Sequence, residues 1–195
     1  MKVILLNGSP KSKGCTYTAL KIIENELINE GIEVKFYEVG NKPVIGCTGC
    51  TACRKLGKCV HDDLVNEVSK EIESADGFIV GSPVHYAAAS GAATSFLDRL
   101  FYSTDKNQLR HKFGASATFD QLNKYFTINE MPIVSSVYWN QIHGNTPEEV
   151  VQDLEGVRTM KVLARNMAYL IKCKEAAKNV PLPKLVPVER TNFIR

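Results

Sequence analysis

Three clusters in this sequence have residue types and spacing suited to chemistry. The first is Asn7-Gly8-Ser9-Pro10-Lys11-Ser12-Lys13-Gly14-Cys15-Thr16. It lies between an apolar run, Val3-Ile4-Leu5-Leu6, and a helical pattern with Leu20, Ile23, Leu27 and Ile28 on one face. A buried strand that stops in a Gly/Ser/Lys loop and restarts as a helix makes an anion site. Loop N–H groups and the first helical turn point at one spot, and the helix dipole favours negative charge there. Ser9, Ser12 and Thr16 add hydroxyl donors, and Lys11 and Lys13 add charge. The plain alternative is an ordinary strand-to-helix turn, which Gly and Ser also suit. The dinucleotide fingerprint G-x-G-x-x-G is absent, and Cys15 stands where a nucleotide triphosphatase loop needs Lys. A monophosphate remains, which points to a mononucleotide cofactor.

The second cluster is Cys47-x2-Cys50-x2-Cys53-x5-Cys59, four of the six cysteines within thirteen positions. Four thiolates at this spacing can wrap one metal centre, and the first three resemble a ferredoxin-type ligand run. Gly46, Gly49 and Gly57 let the backbone turn tightly around it. An iron–sulfur cluster, a structural zinc and free thiols all fit, although zinc sites more often use two separated Cys-x2-Cys pairs. Cys15 and Cys173 stand apart as small packing residues.

The third cluster is Gly81-Ser82-Pro83-Val84-His85-Tyr86. It follows a short all-apolar run, Gly77–Val80, that marks a central parallel strand covered on both faces. Pro83, Val84, His85 and Tyr86 can meet a flat ring on the same rim as the phosphate loop. The alternative is a strand-ending turn with a surface aromatic. His143, after the expected last strand, is either a pocket residue on that rim or a plain loop histidine.

These clusters must be positioned by elements. Strands are expected at Lys2–Leu6, Glu33–Tyr37, Gly77–Val80, a weak stretch marked by Phe113, Ala115, Ala117 and Phe119, and Ile133–Trp139. Helices are expected at Thr16–Asn29, after a cap at Asp62, at Ser90–Phe101, and from Asp120. A final helix starts at Thr146-Pro147-Glu148-Glu149 and carries Val150, Leu154, Met160, Leu163 and Met167. Strand and helix alternate throughout, which demands a parallel sheet. Five strands with a phosphate loop after the first fit a flavodoxin-like three-layer α/β/α sandwich in the order 2-1-3-4-5. One domain spans 1–177, followed by an extended tail, 178–195.

The composition narrows the partners. The 195 residues suit one domain, and 44% hydrophobic with 23% charged content is that of an ordinary globule. A net charge of +3 is too small to argue for nucleic acid or an acidic membrane surface, and neither is expected as a partner. No apolar run approaches a membrane span or a signal peptide, so a cytoplasmic location is expected. Clustered cysteines in a reducing compartment are not a disulfide framework.

With those residues in view, the chain resembles a known family. Gly8-Ser9-Pro10-Lys11…Gly14-Cys15-Thr16 is similar to the G-S-P-R-x-x-G-N-T loop of the NAD(P)H-dependent FMN reductases within the flavodoxin-like proteins. Ala75-Asp76-Gly77…Gly81-Ser82-Pro83-Val84-His85-Tyr86, then Phe96-Leu97-Asp98-Arg99, resembles their A-D-G…G-S-P-V-Y…L-D-R block. The cysteine run resembles the iron–sulfur flavoprotein branch, whose four cysteines hold a 4Fe-4S cluster beside the flavin. The resemblance implies that Ser9, Lys11, Cys15 and Thr16 hold the FMN phosphate. It places Pro83, Val84, His85 and Tyr86 against the isoalloxazine, and a cluster on Cys47, Cys50, Cys53 and Cys59. The implied function is an FMN oxidoreductase taking hydride from NAD(P)H and passing electrons to a small molecule or a ferredoxin-like protein. The other readings are an iron–sulfur electron carrier and a zinc-stapled binding module. The resemblance also implies homodimers or homotetramers. In this chain Cys15 replaces the usual Asn, His85 stands where Tyr is common, and Lys112–Phe119 is shorter than in relatives. Either the loop that covers the flavin in relatives is truly deleted, or residues are missing there; a central strand of about four residues would leave ladder groups unpaired, which favours the second.

Overall fold

Short strands that are apolar on both faces, interleaved with one-faced helices, build a sheet covered on both sides. A computed structural model of the protein describes residues 1–117 and 120–187. Along the chain come β1 (Lys2–Asn7), α1 (Cys15–Asn29), β2 (Glu33–Glu38), α2 (Cys53–Leu56), α3 (Leu64–Ile72) and β3 (Gly77–Gly81). Two short strands follow, β4 (Val84–His85) and β5 (Ala88–Ala89), then α4 (Gly91–Ser103), α5 (Lys106–Leu109) and β6 (Phe113–Ala117). The chain continues through α6 (Asp120–Thr127), α7 (Pro147–Val150) and α8 (Leu154–Ala176).

The main sheet is parallel, in the order β2-β1-β3-β6. Side chains of β1 alternate between its faces. Ile4 and Leu6 join Phe78, Val80, Phe96 and Phe126 on one side. Val3 and Leu5 join Leu20, Ile23, Ile79, Leu163 and Met167 on the other. The second face is covered by α1 and α8, the first by α3, α4 and α6, giving three layers. The edge strand β2 keeps the half-exposed alternation expected of it. Gly114 is where α6 comes closest, because a Cβ there would lie 2.3 Å from the Phe126 ring.

Four strands replace the expected five. Ile133–Trp139 contributes only one parallel bridge, Gly114↔Ile133, with Val134 N donating to Gly114 O at 2.8 Å. It then leaves the sheet because its own side chains take over. Ser136 Oγ bonds Tyr138 O and Asn140 Oδ1, and Asn140 Nδ2 donates to Ser116 O at 3.0 Å, where a fifth strand would have paired. The ladder groups that a short neighbouring strand is expected to leave unpaired are paired. β6 matches β3 residue for residue from Gly77↔Phe113 to Gly81↔Ala117. Phe119, expected to extend it, lies outside the described residues.

Smaller differences have equally local causes. Asp63, not Asp62, caps α3 by accepting from Val65 N. The last helix is divided at 151–153, since Asp153 starts a new cap by accepting from Gly156 N. Ile28 and Leu154 are exposed rather than buried. Among the described residues no helix is long and apolar enough to cross a membrane. Residues 181–187 belong to no helix or strand and are exposed.

Candidate functional site

Parallel strands deliver their carboxyl ends to one rim, and two of the three clusters lie there. After β1, buried Asn7 accepts from Ser9 N at 3.0 Å, and Ser9 Oγ accepts from Lys11 N at 3.1 Å. These two side-chain turns fold the loop without using its remaining amides. Lys11 lies over the helix start, because a Cβ at Gly14 would sit 3.0 Å from Lys11 Cβ. Helix α1 has no side-chain cap and no acidic residue in its first turn. Its leading N–H groups therefore lack intrahelical partners, and Thr16 and Cys15 sit in that first turn. Hydroxyls, two lysines and an uncapped N-terminus suit a dianionic phosphate, which would complete the cap.

The third cluster follows β3 as a hairpin. Val84 pairs with Ala89 and His85 with Ala88, leaving Tyr86 and Ala87 at the tip. Val84, His85 and Tyr86 are exposed, and Tyr86 takes a positive φ of 61°. The hairpin and the phosphate loop are tied together. Gly8 N donates to Gly81 O at 2.8 Å, and Ser90 Oγ donates to Gly8 O at 2.6 Å while capping α4. Ser90 N in turn donates to Ser82 Oγ at 2.9 Å. Gly8 has to be glycine, since a Cβ would lie 2.7 Å from Ala93 Cβ. Pro83, Val84, His85 and Tyr86 thus share a rim with Ser9, Lys11, Cys15 and Thr16.

The four clustered cysteines are brought to a different place. Cys47, Cys50, Cys53 and Cys59, all free thiols, line one cavity of about 20 Å³ at the far end of α4. Among the described residues no three His, Cys, Asp or Glu side chains converge closely enough to ligate one ion. A four-iron cube asks for something else, since each thiolate takes a different iron and the sulfurs stand further apart. Holding such a cube would ask the segment that carries Cys47, Cys50 and Cys53 to adjust around it. Little opposes that: α2 buries no residue, and Thr51, Gly49 and Gly57 turn the chain at positive φ.

One thiol is held far more firmly than the rest. Asn66 of α3 accepts from Cys59 N at 2.9 Å and donates to Cys59 O at 3.0 Å. Arg99 of α4, 2% exposed, donates through Nε to Cys59 Sγ at 3.3 Å. Its two other nitrogens bond Asp63 carboxylate oxygens at 2.7 and 2.9 Å, and reach the Ile45 and His61 carbonyls. Burial pushes the Asp63 carboxyl up, but the hydrogen bonds from Arg99 and from Val65 N outweigh it and hold it below the usual aspartate range. The cysteines and the rim loops are thus separate sites joined by one helix. From Ser90 to Arg99 the rise is roughly 14 Å at 1.5 Å per residue.

Sequence reasoning missed Ser82, Ser90, Asn66 and the work of Arg99. The signals were there: Ser90 precedes a small-residue helix start, and Arg99 falls at i+3 from buried Phe96. His143 joins neither site; its ring meets the cap carboxylate of Asp153 at 3.3 Å.

Comparison with known proteins gives this geometry a family. Residues 1–144 match the family model described as NADPH-dependent FMN reductase. An iron–sulfur flavoprotein of Methanocaldococcus jannaschii is 31% identical over 189 residues, covering 88% of this chain and 98% of that protein. A second iron–sulfur flavoprotein from the same organism is 28% identical over 198 residues, covering 89% and 98%. Among solved structures, RosB with bound 8-demethyl-8-formylriboflavin-5'-phosphate superposes with a TM-score of 0.68 at 15% identity, covering 100% of this chain and 92% of that one. The fold and the matched residues together place this chain in the NADPH-dependent FMN reductase family of flavodoxin-like proteins, among relatives that are iron–sulfur flavoproteins.

Proposed function

We propose that this chain is an iron–sulfur flavoprotein oxidoreductase, with FMN on the rim and a 4Fe-4S cluster on Cys47, Cys50, Cys53 and Cys59. The observation that carries it is that four free thiols line one cavity, linked by α4 to the phosphate loop. When bound, FMN supplies hydride and one-electron chemistry and the cluster supplies one-electron chemistry. The protein's own residues bind and orient. Ser9 and Thr16 hydroxyls, the Lys11 ammonium and the amides opening α1 grip the phosphate by charge-assisted hydrogen bonds. Cys15 adds no side-chain amide there, so the side-chain grip rests on its neighbours. Pro83, Val84, His85 and Tyr86 form the wall for the ring, and Ser90 keeps that wall in register with the phosphate loop. The donor is NAD(P)H, in keeping with the family's description. The acceptor is a small molecule or a ferredoxin-like protein, and the chain works as a homodimer or homotetramer.

Anaerobically purified protein is expected to contain FMN, iron and acid-labile sulfide. Adding NADPH or NADH without air should bleach the flavin band. Protein with flavin but neither iron nor sulfide would reduce the reading to a plain flavin reductase. Protein lacking flavin after soaking in FMN would end it.

A further inference from the structure

Among the described residues Arg99 is the largest fully buried side chain, and it is a cation. A buried guanidinium is costly unless its donors are satisfied. Every partner it has belongs to the cysteine segment or to the turn that closes it: Ile45 O, Cys59 Sγ, His61 O and both Asp63 oxygens. Its side chain also lines the cavity that the four cysteines share. The guanidinium therefore brings a positive charge and a directed N–H to one particular sulfur, while Asp63 offsets part of that charge from the side nearer solvent.

Resting on the cluster assignment above, we infer that Arg99 and Asp63 form a pair that sets the reduction potential of the metal centre through Cys59. Taking up one electron adds one negative charge to such a centre, with no bond made or broken. An N–H donated to a ligating sulfur and a nearby positive charge both stabilise the reduced form, which raises the potential. Asp63 opposes this, so the two residues act with opposite sign. Arg99 is a positioning residue, since it acts through Cys59 and touches no reacting atom of flavin or substrate.

The sign reversal separates this role from simple bracing of the loop. The experiment is a potentiometric titration of the cluster in the wild type, Arg99→Met, Arg99→Lys and Asp63→Asn, followed by electron paramagnetic resonance. Arg99→Met should lower the midpoint potential, having lost both the charge and the N–H. Arg99→Lys should lower it less, keeping the charge while losing the planar donor. Asp63→Asn should raise it, because asparagine still caps α3 while the charge on Arg99 is no longer offset. FMN content reports in each case whether the rest of the fold survives. If Arg99→Met does not fold, the upward shift in Asp63→Asn carries the test alone. Unchanged potentials, or shifts of one sign in all variants, would overturn the inference while leaving the cluster in place. A wild type free of iron and sulfide would instead overturn the cluster assignment, and this inference with it.

Discussion

Tyr86 occupies a backbone conformation that favours glycine. Its φ of 61° opens the tip of the β4–β5 hairpin, and its ring is fully exposed. A left-handed conformation costs a non-glycine residue about 1–2 kcal/mol, and here no packing of the side chain offsets it. A strained, exposed aromatic fits the ring-contact role proposed for Tyr86 better than a role in stability. Tyr86→Gly is expected to stabilise FMN-free protein by about 0.5–1 kcal/mol, the relieved strain less the added chain entropy. The same change should weaken FMN retention. Urea midpoints and flavin release on dilution check the two halves, and a less stable variant would show that the ring packs.

Among the helices, α8 shows how much one cap can hold. Asp153 accepts from Gly156 N at 3.0 Å and from His143 N at 2.7 Å, so a single carboxylate closes the helix and pins the loop from the rim. Those backbone hydrogen bonds hold its carboxyl below the usual aspartate value of 3.8. A depressed folded-state value means that the stabilisation is complete above about 3.8 and disappears as pH falls through the lower folded value. Asp153→Ala should therefore cost about 1 kcal/mol at neutral pH, and the gap from wild type should close on acidification below pH 3.8. Urea midpoints between pH 7 and pH 3 measure it. Helix α4 plays the larger part, with Ser90 at one end tying the rim loops and Arg99 near the other holding Cys59.

Over the whole molecule, the apolar cores and the cysteine segment are kept apart. The two apolar clusters flank the sheet, and of the four clustered cysteines only Cys59 packs against either. Stripping iron with a chelator should leave the helix and sheet signal in circular dichroism unchanged. The segment around α2 should loosen, because it buries no residue. Trypsin should then cut faster at Arg54, Lys55 and Lys58, read by mass spectrometry; equal protection would show that the loop is ordered without metal.

The family, the parallel α/β architecture and the three clusters were legible in the sequence because each depends on local pattern. Gly8-Ser9-Pro10-Lys11 between a strand and a helix, four closely spaced cysteines, and the apolar run before Gly81 are all short-range signals. Three-dimensional packing alone decided the rest. Whether Ile133–Trp139 would become a strand turned on Asn140 reaching Ser116, twenty-four residues away in sequence. The firm seat of Cys59 depended on Arg99, forty residues distant. Periodicity reports which face of an element is apolar, but not which distant polar group will meet a backbone carbonyl or a sulfur. Only the folded chain brings those partners within hydrogen-bond reach.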